Sequence, residues 1–168
     1  MVLNMLDNLL VNIFEDGLFA AIAAIGFSSI SNTPRRAYLW CGGIAAAGHA
    51  VRYVLTSSGI CHMHIIAGST IAALVIGFLS VICAKKIKCP AEVCFFPALL
   101  PMIPGMYAYR TIEALAACLM HTREEVFNHY LYLLSFNGFT CVFIITGMVI
   151  GANIPVFLLK KISFQATR

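Results

Sequence analysis

The chain has 168 residues, 61% hydrophobic and 11% charged, with a formal net charge of +4. Soluble domains carry about 25% charged residues, and a chain this short has no core large enough to hide such an apolar excess. A soluble fold is therefore excluded, and so is nucleic acid as a partner, because the basic residues are dispersed among short loops without interleaved aromatics.

What remains is an all-α integral membrane domain covering residues 1–168. The opening segment MVLNMLDNLLVNIFEDG lacks the basic n-region and small-residue cleavage site of a signal peptide, and reads as the approach to a first span. A crossing needs about 20 mainly apolar residues. Five stretches qualify, at residues 9–30, 37–57, 65–84, 91–120 and 126–159. The last two are long, and their excess must become tilt, breaks or interfacial turns. A four-span arrangement with the first stretch lying on the surface is the alternative.

The loops set the orientation. Arg35 and Arg36 fall between the first two spans, Lys85, Lys86 and Lys88 between the third and fourth, and Lys160, Lys161 and Arg168 after the fifth. Basic residues concentrate on the cytoplasmic side, which puts the N-terminus out and the C-terminus in. An odd number of spans leaves no inverted pair within this chain, so a matching half would lie elsewhere. Small residues four apart, Gly42/Ala46 and Gly43/Ala47 in the second span and Gly147/Gly151 in the fifth, would allow close helix approach.

Ionisable groups inside spans mark functional positions by default. At about 1.5 Å per residue, Glu15 and Asp16 lie roughly 9–10 Å below the outer end of the first span. Arg52 and His49 lie roughly 8 and 12 Å down the second, and Glu113 and Arg110 roughly 10 and 15 Å down the fourth. Asn137 in the fifth is near the same level. This layer suggests a water-lined cavity. Each member also has a plain structural role open to it. Glu15 or Asp16 could hold Arg52 in a static ion pair, His49 could be a satisfied buried imidazole or pass a proton, Asn137 could bond between helices, and Arg110 with Glu113 could neutralise each other at i, i+3.

The seven cysteines (41, 61, 83, 89, 94, 118, 141) show no CxxC pairing and are expected as small buried hydrophobes. Cys61, His62, Met63 and His64 have soft-metal ligand types, but no second group of ligands completes a site. No metal and no cofactor is assigned.

The segment PALLPMIPGMYAYR, residues 97–110, carries three prolines, a glycine and an arginine inside the fourth span. Pro97, Pro101 and Pro104 each remove a backbone donor and displace the carbonyl four residues earlier. Carbonyls freed near Val93, Pro97 and Leu100 are tolerable only where they line a cavity or meet another helix. The Pro104–Gly105 step then allows a break. A half-helix starting near Gly105 would aim free amides and a positive dipole end at mid-membrane, as an anion site. Arg110 lies a turn and a half further on, and its guanidinium fork suits a carboxylate.

This segment, together with NTPRRAYLWCGGIAAAGHAVRYVLTSSG, resembles the small subunit of the bacterial threonine/serine exporter family. The matching positions are Pro34, Arg36, Gly48, His49, Arg52, Pro101, Pro104, Gly105 and Tyr109, and the similarity runs from about residue 10 to 160. The resemblance implies a ten-span unit of the bacterial inner membrane, made as one fused chain or as two proteins. The larger partner would bring a soluble N-terminal domain and five more helices. It also implies export of a small carboxylate, either threonine and serine or, in split members, a dicarboxylate such as succinate. Arg110 rests on local chemistry and not on the resemblance.

The expected substrate set is therefore Gly105, Tyr109, Arg110 and Asn137. Glu15, Asp16, His49, Arg52 and Glu113 are the candidates for proton coupling or ion pairing. No nucleophile–base pair is visible, so an enzyme is not expected. A structural subunit stabilising a partner, or a homo-oligomeric passive pore, are the rival readings.

Overall fold

A computed structural model describes residues 2–57 and 61–159. The terminal cations Lys160, Lys161 and Arg168 and part of the loop before Cys61 lie outside the described residues. Among the described residues every regular element is helical: α1 (Val2–Ile30), α2 (Tyr38–Thr56), α3 (Ile65–Ile87), α4 (Glu92–Leu99), α5 (Gly105–Met120) and α6 (Glu124–Leu158). Three stretches are long and apolar enough to cross a membrane, Leu9–Ile30, Ile65–Ile87 and Glu124–Leu158. The stretch expected as a single fourth span is divided into α4, a 3-10 turn at Leu100–Met102, and α5.

Helix ends follow local chemistry. Asn32 and Lys88 adopt left-handed backbone, with φ of 54° and 52°. There the amides of Thr33 and Cys89 fold back on the carbonyls of Ser28 and Ala84, closing α1 and α3 in the manner of a C-cap. His64 caps the start of α3, its Nδ1 accepting from the Ile66 amide at 3.3 Å. Glu124 and Glu125 occupy the first turn of α6, where a negative charge suits the helix dipole.

The chain forms two compact units, one of residues 1–102 with 147–168 and one of residues 103–146. In the first, the interior is made chiefly of small side chains, among them Ala24, Ala45, Ala72, Ala73, Ala98 and Ala152, while Phe14, Phe19, Ile22 and Phe78 are exposed. Lipid tails are as apolar as these side chains, so helices here associate through close packing and not through expulsion of water. Gly17 lies against the backbone of Ala46, and Gly42 against Ile25 and the Ala21 carbonyl, which makes α1 and α2 antiparallel. Gly48 meets Ile76, and Gly68 meets Thr56, so α2 and α3 are antiparallel as well. Along α3 and the end of α6, Gly147 and Gly151 meet Thr70, Gly77 meets Ala152, and Val156 and Leu159 pack near Val81 and Ala84. That register is parallel.

Several polar side chains within the helices bond to their own backbone. Ser28, Thr70, Ser80, Thr140 and Asn153 each donate to the carbonyl four residues earlier, at 2.7–2.8 Å, which satisfies them without water. Cys41, Cys83, Cys89, Cys94 and Cys118 are buried, whereas Cys61 is exposed. Cys83 and Cys94 approach to 3.7 Å, a proximity that their separation in sequence does not announce.

The glycine contacts yield a paired expectation. A methyl group at Gly77 would collide with the Ala152 backbone, whereas one at Gly43 meets nothing within 4 Å. Gly77→Ala should cost about 1–3 kcal/mol of stability and Gly43→Ala almost none, as read from thermal unfolding of the detergent-solubilised protein.

Candidate functional site

The interrupted helix explains where the polar groups of the first unit go. Pro97 was expected at a break, but it lies inside α4 and is buried. The helix continues because the carbonyl that Pro97 leaves without an amide partner, Val93, accepts a weak bond from the Cys41 thiol at 3.7 Å. The interruption begins only at Leu100, with Pro101 in the 3-10 turn and Pro104 as the N-cap of α5.

At the end of that 3-10 turn, the Met102 carbonyl accepts from the Arg52 guanidinium of α2 at 3.1 Å. Arg52 thus serves the broken backbone and forms no ion pair with Glu15 or Asp16. Its neighbour one turn earlier, His49, takes Asp16 instead, with Nδ1 and Oδ2 3.1 Å apart. His49 is 4% exposed, and its Nε2 is buried without a partner among the described residues. Asp16 keeps a side-chain exposure of 38%. Glu15 points outward, because Gly17 must face α2 at Ala46 and the helix phase then turns its neighbour away.

The start of α5 also differs from expectation. The Gly105 amide donates to Ile103 at 2.8 Å, and those of Tyr107 and Ala108 to Pro104 at 3.1 Å. The turn therefore uses amides that an anion at the helix end would need. Tyr109 is exposed, and neither it nor Gly105 reaches the pocket of this unit.

That pocket, within residues 103–146, has a volume of about 340 Å³ and is lined by Arg110, Glu113, Ala114, Tyr130, Leu133, Phe136 and Asn137. Arg110, Glu113 and Ala114 share one face of α5, and Tyr130, Leu133 and Asn137 recur at i, i+3 and i+7 on α6. Arg110 and Glu113 are exposed to the cavity side, and no ion pair joins them among the described residues. Asn137 is 4% exposed, with its Nδ2 committed to the Leu133 carbonyl at 2.7 Å, so its Oδ1 is the atom left to accept. Tyr130 is held by a parallel stack on His121, with ring centroids 5.7 Å apart. The sequence pointed to Arg110, Glu113 and Asn137. Tyr130 and Phe136 were missed; the i, i+7 spacing of Tyr130 from Asn137 was an available signal, whereas Phe136, adjacent to Asn137, had none.

Among the described residues no group of three or more His, Cys, Asp or Glu side chains is arranged to hold a metal ion.

A proline-interrupted helix, a small-residue helix core and a pocket presenting both charges define a helical membrane protein with a polar site amid apolar helices. The chain matches the family model described as "Threonine/Serine exporter, ThrE" over residues 16–158. It belongs to the threonine/serine exporter family. It is also 30% identical to an uncharacterized protein of Haemophilus influenzae over 153 residues, covering 90% of this chain and 49% of that protein. The chain thus spans about half the length of that curated relative. No solved structure matches it.

Arg52 provides a direct check on the interrupted helix. Arg52→Met leaves the Met102 carbonyl without its charged donor and should cost about 1–3 kcal/mol, seen as a lower unfolding midpoint. Arg52→Lys, which keeps a donor, should lose less.

Proposed function

We propose that this chain is the small membrane subunit of a secondary exporter for small neutral amino acids, threonine and serine, in the bacterial inner membrane. The observation that carries this reading is that Arg110 and Glu113, which form no ion pair among the described residues, line one pocket with Asn137. Arg110 would hold the substrate carboxylate through its planar fork. Glu113 would hold the ammonium, and Asn137 would accept from the side-chain hydroxyl. A dicarboxylate such as succinate offers nothing to Glu113 except repulsion, so the pocket chemistry favours a zwitterion.

The partner is a large subunit with a soluble N-terminal domain and about five helices. Two facts support it: the family relative is about twice as long as this chain, and the pocket charges need cover from lipid. The parallel packing of α3 with the end of α6 supports one further crossing between them and so five in all, and the basic loops at Arg35, Arg36, Lys85, Lys86 and Lys88 support an N-terminus outside. Coupling is assigned to the Asp16–His49 pair. Its imidazole has a free ring nitrogen and its carboxylate remains accessible, so a proton can be taken up and passed on.

The test is efflux of labelled threonine and succinate from cells carrying this chain with its large partner. Threonine efflux should fall at least tenfold in Arg110→Gln and in Glu113→Gln, at unchanged abundance of the complex. Reduced abundance with normal efflux per complex would instead indicate a scaffold subunit. Efflux from this chain alone would indicate a homo-oligomeric pore. His49→Gln and Asp16→Asn should abolish stimulation by an imposed proton gradient while sparing exchange of internal for external threonine. Gradient stimulation that survives both changes would remove the pair from coupling.

A further inference from the structure

Where α2 begins and α3 ends, two loops bring cations together. Arg36 donates to the Lys88 carbonyl at 3.4 Å, and the Lys86 ammonium lies over the Trp40 ring, 5.4 Å from its centre. Arg35, Arg36, Lys85, Lys86 and Lys88 are all exposed. None of them forms an ion pair with a carboxylate among the described residues.

The surface leading to this cluster is apolar and continuous. Ile71, Leu74, Phe78 and Ile82 are 38–48% exposed, and their spacing puts them on one face of α3, in line with Lys85 and Lys86. From Ile71 to Ile82 the stripe is about 16 Å long, close to the ~15 Å of hydrocarbon in one leaflet. An unpaired cationic end, an interfacial indole and a chain-length apolar stripe match one kind of molecule.

We propose that this surface is a binding site for an anionic phospholipid. Its phosphodiester would lie between Arg36, Lys85 and Lys86, and an acyl chain would follow the α3 stripe toward Ile71. A zwitterionic lipid carries its own cation, which the cluster repels. A basic residue near a bilayer surface attracts an anionic headgroup by about fivefold in affinity.

Trp40 is the single tryptophan of the chain, so its fluorescence reports this site directly. The full chain would be reconstituted into vesicles of phosphatidylcholine mixed with either brominated phosphatidylglycerol or brominated phosphatidylcholine, and bromine quenching of Trp40 compared. Phosphatidylglycerol should compete at least fivefold better than phosphatidylcholine for the position beside Trp40. The preference should collapse toward unity in the Lys85→Gln, Lys86→Gln double variant, or in the unchanged protein at high salt. Equal quenching by the two lipids overturns the proposal. So does absence of quenching by either, which would mean that another protein surface covers the stripe.

Discussion

Backbone carbonyls without amide partners are the constraint on which the rest of this structure depends. A proline-rich segment inside an apolar domain creates them, and each costs several kcal/mol if left to lipid. The chain answers with α2. Its Cys41 thiol reaches the Val93 carbonyl, and its Arg52 reaches Met102. These two donors let α4 retain helical form through Pro97 and end in a defined turn. The same helix carries His49 one turn from Arg52, so the support of the break and the Asp16 pair share one rigid element.

Close approach of α2 to its neighbours is what makes such contacts possible. Gly42 and Ala46 admit α1, and Gly48 admits Ile76 of α3. With alanine and glycine inside, the large apolar side chains are left to face outward. In the second unit, the logic differs: α5 and the first part of α6 place Arg110, Glu113 and Asn137 around one cavity, and the guanidinium and carboxylate form no ion pair among the described residues. Arg110 and Glu113 are i, i+3 neighbours and still form no pair, which leaves both charges available to a ligand of complementary charge.

Much of this was legible in the sequence. The helix interruption followed from Pro101, Pro104 and Gly105 because their backbone chemistry is local. The glycine pair at 147 and 151 followed from spacing alone. Arg110, Glu113 and Asn137 stood out because ionisable and amide groups are rare in such a setting. What escaped depended on helix rotation and on distant partners. Asp16 and not Glu15 meets His49 because Gly17 fixes the phase of α1. Pro97 stays helical because a thiol more than fifty residues earlier in the chain lies beneath it. At Gly105, where free amides were expected, the Gly105, Tyr107 and Ala108 amides instead bond to the Ile103 and Pro104 carbonyls. Proline and glycine mark a break, but they do not specify which acceptors its amides will find.

The central claim is that the α5–α6 pocket recognises both charges of a free amino acid. Binding of labelled threonine to the purified two-subunit complex, competed by threonine methyl ester, N-acetylthreonine and succinate, tests it most directly. The ester lacks the carboxylate charge for Arg110, and the acetyl derivative lacks the ammonium for Glu113. The account predicts that each of the three competes at least tenfold less well than unlabelled threonine. Competition by N-acetylthreonine or succinate equal to that of threonine would contradict it.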